Sequence, residues 1–238
     1  GEILVFIDAD MELQPDYIQE LIRPILDEGA VGTDHAVEEV ANLDNIWAYC
    51  WGKERIPRMR SESIFFRAIE RRTFLEAGGF DPSKGYFDDR TLYDKLQTQA
   101  KVSPKAMCYH HNPSSLREVF SQSIWQGESY LKCIKHSFRF HALYILKKIV
   151  FALSPLVFLL NFLSPSFSIL LIPSVYELFS SFRLKDKRFR FFVAKYFIFS
   201  YIYDSGFIIG LLKFILISSI GPACKPSNTF SGNWLRAW

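Results

Sequence analysis

From Ile149 to Tyr176 the chain carries no charged residue over 28 consecutive positions. A soluble core of this size rarely needs so long an uncharged run, whereas a bilayer-crossing helix needs about 20 apolar residues in a row. Charge is dense up to about His141 and sparse beyond it. The sequence therefore divides into a water-facing part, residues 1–140, a membrane part, 141–220, and a tail, 221–238. The averages of 49% apolar and 22% charged residues conceal this segregation.

Within the membrane part, helices are expected at about 142–163 and 166–182, turning at Ser164-Pro165, and at about 191–220. Lys147 and Lys148 would snorkel near the start of the first helix. Arg183, Lys185, Lys187, Arg188 and Arg190 form a basic cluster of the kind retained on the cytoplasmic face, beside the water-facing part. Asp204 would sit at mid-depth in the third helix, which is costly unless it faces a polar cavity or another helix. The tail with Cys224 is expected on the far side. A net charge of +3 argues against nucleic acid as a partner. The four cysteines, Cys50, Cys108, Cys133 and Cys224, lack ligand spacing and read as reduced, mostly buried thiols, consistent with a water-facing part in the cytoplasm, and not as a zinc site.

The chain opens on Gly1-Glu2 and runs at once into Ile3-Leu4-Val5-Phe6-Ile7. That run predicts a strand buried on both faces of a parallel sheet, and such a strand needs neighbours on each side. The expectation is a fragment whose first sheet strands are missing. Ile18, Leu21, Ile22, Ile25 and Leu26 then recur at helical spacing, between Pro15 at the start and Gly29 at the stop, so strand and helix make half a βαβ unit. Residues 31–60 give little away. Ser63 to Arg67 predicts a second strand, Ile69 to Ala77 a short helix ended by Gly78-Gly79, and 88–100 a helix with Leu92 and Leu96 on one face.

Three constellations carry chemistry. The first strand delivers Asp8-Ala9-Asp10 at its carboxyl end, where open α/β sheets bind ligands, and two carboxylates there suit a hard divalent cation with phosphate oxygens. The same pair equally suits a turn. Gly78-Gly79-Phe80-Asp81, followed by Phe87-Asp88-Asp89-Arg90, combines a backbone open to close approach with adjacent carboxylates, of which one can be a tuned base and either can be a helix cap. Tyr109-His110-His111-Asn112-Pro113 precedes a helix bearing Gln122 and Trp125, and the Trp can be a sugar-stacking platform or an interfacial anchor.

In this order the motifs DAD, RxxFxxxGGFD, FDDRTL and YHHxPxSL, followed by apolar helices, resemble the family 2 glycosyltransferases with a GT-A fold and a C-terminal membrane domain. The resemblance covers about residues 1–135 by motif and the remainder by topology alone. It implies an α/β, Rossmann-like GT-A domain, lacking its N-terminal nucleotide-binding half, ahead of an α-helical membrane domain. It implies that Asp8 and Asp10 hold Mg²⁺ or Mn²⁺ and the donor diphosphate, with His110 approaching the metal. Asp89 is implied as general base beside Asp88, and Arg90 completes a DDR form like that of hyaluronan and chitin synthase relatives. Gly78, Gly79, Gln122 and Trp125 are implied near donor and acceptor.

Processive relatives carry QxxRW, whereas here Gln122 is followed by Trp125 and Gln126 in the Arg and Trp positions. The expectation is therefore a membrane-bound inverting enzyme that moves one or a few sugars from a nucleotide-sugar to a lipid-linked or cell-surface glycan. A processive polysaccharide synthase and a non-catalytic membrane scaffold are the alternatives.

Overall fold

A computed structural model describes residues 1–52, 61–133, 138–161, 164–183 and 187–219. Lys185 and the tail with Cys224 lie outside the described residues. The protein is a mixed α/β structure with a helical C-terminal part.

Its sheet contains β1 (Ile3–Val5), β2 (Met11–Leu13), β3 (Gly32–Val40), β4 (Glu62–Ser63), β5 (Ala68–Glu70) and β6 (Ala100–His110), in the order β1-β5-β3-β6-β2. Among the described residues only β3 and β6 pair in parallel; the other pairings are antiparallel. β3 holds one edge of β6, while the other is shared by β4 at its start and β2 at its end. β1 departs from expectation: it is half-buried and pairs antiparallel with β5. Because β1 and β3 both run antiparallel to β5, they point the same way with one strand between them. The expected βαβ unit thus exists in split form, with α1 (Tyr17–Glu28) as its crossover.

Gly29 ends α1 in the left-handed region, at φ 66°, as the sequence indicates. The buried stripe, however, is Tyr17, Glu20, Leu21, Pro24 and Ile25, and Ile18 and Leu26 are exposed. Pro24 sits inside the helix and has no N–H for the Glu20 carbonyl. The Ser103 hydroxyl of β6 donates to that carbonyl at 2.7 Å, and Thr33 of β3 donates to Leu21 O at 2.6 Å. The interrupted helix is thereby stitched to the two central strands.

Two further corrections concern the middle of the chain. The strand expected at Ser63 to Arg67 is replaced by the short β4 and by β5, which leaves the four residues Ile64 to Arg67 between them outside any strand. The helix expected over 88–100 is α4 (Thr91–Leu96), preceded by a 3₁₀ segment at Pro82–Arg90. Leu92 of α4 is fully buried with Phe66, Ile69 and Ala100, on a second core flanked by Phe74 of α3 (Arg71–Glu76) and by Phe80.

The C-terminal part comprises α5 (Leu116–Cys133), α6 (Phe138–Ala152), α7 (Ser154–Leu160), α8 (Ile172–Arg183) and α9 (Phe192–Ser219), with α2 (Ile46–Gly52) packed beneath. Among the described residues, α9 is the one helix long and apolar enough by itself to cross a membrane. The expected span at 142–163 is instead α6 and α7 with a 64° bend between them, at a break that Pro155 follows. The stretch at 166–182 is a 3₁₀ segment over Pro165–Leu171 leading into the 12-residue α8.

Lys148 does not snorkel. It is buried with its ammonium on Asp204 of α9, over the rings of Tyr144, Tyr203 and Phe207, while Lys147 bonds Glu177 at 2.8 Å. Asp204 therefore faces another helix and meets its counter-charge there. Arg188 of the basic cluster lies 5.6 Å over the Tyr49 ring, which brings that residue against α2.

α5 and α9 pack backbone to backbone. A Cβ on Gly127 would stand 2.0 Å from Phe207 O, one on Gly206 2.0 Å from Ser123 Oγ, and one on Gly210 2.0 Å from Ile124 O. Ser123 and Gly127 on one helix, and Gly206 and Gly210 on the other, form the small-residue spacing that permits such approach.

Candidate functional site

The site begins at the end of β1. The chain turns over Asp8 to Met11, where Met11 N–H donates to Asp8 O at 3.1 Å, and immediately enters β2. The ladder of β2 with β6 sets Met11 against His110 and Glu12 against Tyr109. That register carries the Asp8-Ala9-Asp10 turn to the end of β6. His110 Nε2 lies 3.3 Å from Asp10 Oδ1, and His111 N–H donates to Asp10 O at 2.9 Å.

The turn after β6 is held by asparagines. Asn42 Nδ2 donates to Asn112 O at 2.8 Å, and Asn112 N–H donates back to Asn42 Oδ1 at 3.0 Å. Asn112 Nδ2 also reaches Ala48 O at 3.1 Å, so the histidine pair is fastened to α2.

Asp8, Asp10 and His110 each offer a ligand atom, and these atoms lie within 4.8 Å of one another. His110 Nδ1 is buried and finds no hydrogen-bond partner among the described residues. The ring turns Nε2 toward Asp10, and an imidazole nitrogen gathered with two carboxylates is a donor set that fits a divalent cation. Two oxygen ligands and an imidazole suit Mn²⁺ better than Mg²⁺, which favours an all-oxygen shell.

Asp8 also belongs to a neighbouring cleft of about 400 Å³. Its walls include Phe6, Phe66 and Phe80, and its charged lining is Asp8, Arg67, Asp88 and Asp89. Arg67 Nη1 donates to Asp8 Oδ2 at 2.8 Å. Burial opposes a charge on this guanidinium, but the Asp8 carboxylate overcomes that cost and holds its proton affinity above the usual arginine value. Burial likewise raises the Asp88 carboxyl. Surrounding protein atoms, with the Asp88 charge adding to them, push the Asp89 carboxyl up to about 6, against the opposing pull of Arg67 and Arg90. Asp89 is exposed on its outer side, where water damps the shift.

The segment bearing the two acids is strapped to α5. Gly85, at φ 59°, comes so close to Ser129 that a Cβ would stand 2.4 Å from its hydroxyl oxygen. Tyr86 N–H donates to that oxygen at 3.0 Å, and the Tyr86 ring meets Trp125 edge to face at 5.1 Å. Thr91 donates to Asp88 O at 2.5 Å from the other end of the segment. Gly78 and Gly79 adopt φ of 72° and 64°, with Lys95 donating to both carbonyls, and deliver Phe80 to the cleft wall.

The structure therefore gathers Asp8, Asp88 and Asp89 in one cleft, and Asp10 and His110 beside Asp8. Gly78 and Gly79 stand behind the wall. Trp125 is 47% exposed and supports the acid-bearing segment through Tyr86, Gln122 is half-buried on α5, and Arg90 is exposed outside the cleft lining. Arg67 and Ser129 are the residues that sequence reasoning missed. The signal for Arg67 was a single cation closing the apolar run Ile64-Phe65-Phe66. No protein-family model matches the chain, and no curated protein matches its sequence.

Proposed function

We propose that the protein is a membrane-associated, metal-dependent inverting glycosyltransferase that uses a nucleotide-sugar donor, as the order of its motifs resembles the family 2 glycosyltransferases of GT-A fold. One observation carries the reading: Asp8 belongs both to a cation-binding cluster with Asp10 and His110 and to an aromatic-walled cleft that holds the paired acids Asp88 and Asp89. A cation site and a base candidate joined through one carboxylate are what transfer from a diphosphate leaving group requires.

A bound divalent cation supplies Lewis-acid neutralisation of the charge that grows on the departing diphosphate. Asp8, Asp10 and His110 would hold that ion. Phe80 and Phe66 present apolar faces to the sugar ring. Asp89, whose carboxyl sits near 6, removes the proton of an acceptor hydroxyl as that oxygen attacks the anomeric carbon opposite the leaving group, which inverts the centre. Asp88 raises the proton affinity of Asp89 by its charge.

The departures at Trp125 and Gln126 favour transfer of one or a few sugars over chain polymerisation. In this reading α9 crosses the bilayer with the bent α6–α7 pair beside it, the α/β part faces the cytoplasm, and a lipid-linked or glycan acceptor meets the cleft at the membrane surface.

The test is turnover of a panel of nucleotide-sugars by the full-length protein in detergent, with Mn²⁺ or Mg²⁺ and with EDTA. Metal-dependent consumption of one donor is expected. Consumption unaffected by EDTA, or none across the panel from full-length protein that is folded and binds Mn²⁺, contradicts the proposal.

A further inference from the structure

We infer that Arg67 is a clamp that exchanges partners. It holds Asp8 in the cation-free protein and turns to the anionic diphosphate when a cation takes the Asp8 oxygen. This inference rests on the reading of Asp8, Asp10 and His110 as a cation site.

The backbone of Arg67 is pinned on both sides, since its N–H donates to Thr33 O at 2.8 Å and its carbonyl accepts from Phe6 N–H at 2.9 Å. Only the side chain is free to change partner. It is 19% exposed and reaches Asp8, whose own side chain is 51% exposed and open to a competitor. The single Nη1–Oδ2 bond leaves Asp8 Oδ1 open, so a cation drawing on Asp8, Asp10 and His110 competes with the guanidinium for the charge of one carboxylate and repels it.

Charge in the cleft gives the second half of the argument. Among the described residues that line it, three carboxylates stand against the single cation of Arg67. A diphosphate entering beside Asp8, Asp88 and Asp89 meets repulsion, which one divalent ion on Asp8 and Asp10 offsets only in part. A guanidinium released from Asp8 is already desolvated, and its planar fork matches two phosphate oxygens. Arg67 therefore opposes the cation and favours the diphosphate, and its removal moves the two affinities in opposite directions. A merely structural arginine would move both downward.

The experiment titrates the protein in detergent with Mn²⁺ alone, followed by paramagnetic resonance, and then with inorganic pyrophosphate at saturating Mn²⁺. Wild type, Arg67→Gln and Arg67→Lys are compared. For Arg67→Gln we expect Mn²⁺ to bind roughly tenfold more tightly and pyrophosphate roughly tenfold more weakly, the ratio that one charge-assisted hydrogen bond supplies. Arg67→Lys keeps the charge and the alkyl stem, so its Mn²⁺ affinity stays near that of wild type. If wild type binds Mn²⁺ but Arg67→Gln leaves either affinity unchanged or weakens both, or if Arg67→Lys tightens Mn²⁺ as Arg67→Gln does, the partner exchange is overturned and the cation site stands. If neither wild type nor Arg67→Gln binds Mn²⁺, the reading of the cation site itself has failed.

Discussion

His110 Nε2 and Asp10 Oδ1 stand 3.3 Å apart because β2 lays Met11 against His110, so a carboxylate at one end of the chain and an imidazole far along it share one strand pairing. The pair predicts a metal preference. Wild type binds Mn²⁺ more tightly than Mg²⁺, and His110→Ala loses at least about tenfold in Mn²⁺ affinity while Mg²⁺ affinity changes less. Competitive titration of the two ions checks this; an equal loss for both would remove His110 from the ligand set.

The acid pair predicts a pH profile. Transfer needs ionised Asp89, so the rate climbs as pH rises through about 6 and then levels. The Asp88 charge is one of the causes that raise Asp89, so Asp88→Asn moves this limb to lower pH. A limb that stays in place or moves upward contradicts the assignment. Because the carboxyl is raised in the folded protein, its ionisation costs stability as pH passes from the unfolded value through about 6. Asp89→Asn therefore melts no lower than wild type at pH 7.5, and any loss of activity in it is not a loss of fold.

Close approach of α5 and α9 predicts a stability defect from one methyl group. A Cβ at Gly127 meets Phe207 O at 2.0 Å, and Gly127→Ala should cost about 1–3 kcal/mol as the helices part. Ser129 on the same helix holds the Tyr86 N–H, so the acid-bearing segment shifts as well and transfer falls, while Mn²⁺ affinity is preserved. Thermal unfolding in detergent with a parallel Mn²⁺ titration checks both; an unchanged melting point would contradict the contact.

The buried Lys148–Asp204 pair predicts non-additive mutations. Asp204→Leu alone strands an ammonium between α6 and α9 and should cost about 3–5 kcal/mol. Adding Lys148→Met removes the stranded charge and restores most of that loss. A double variant as unstable as the single one would show that the pair is not what couples the helices.

Much of this was legible in the sequence where residue type and local spacing agree. Gly29 ended α1, the DAD turn followed an apolar strand, and the apolar C-terminal stretches were plain. The two central strands were not. β3 carries Thr33, Asp34, His35, Glu38 and Glu39, whose polarity hides a strand that its neighbours and α1 bury. β6 contains Pro104, which argues against a central strand, yet the ladder slips between His35 and Val37 and places the proline in the irregular stretch. Arg67 was invisible for a related reason, because its partner Asp8 is brought near only by the pairing of β1 with β5. The break within 142–163 comes just before Pro155, which a composition average ignores, whereas the turn at Ser164-Pro165 was legible.

The most direct test of the central claim measures donor binding and sugar transfer side by side in the full-length protein, wild type and Asp89→Asn, at saturating Mn²⁺. The account predicts that Asp89→Asn binds the nucleotide-sugar as wild type does and transfers nothing, because the cation cluster is intact and the base is gone. Transfer at the wild-type rate, or loss of binding and transfer together, would contradict it.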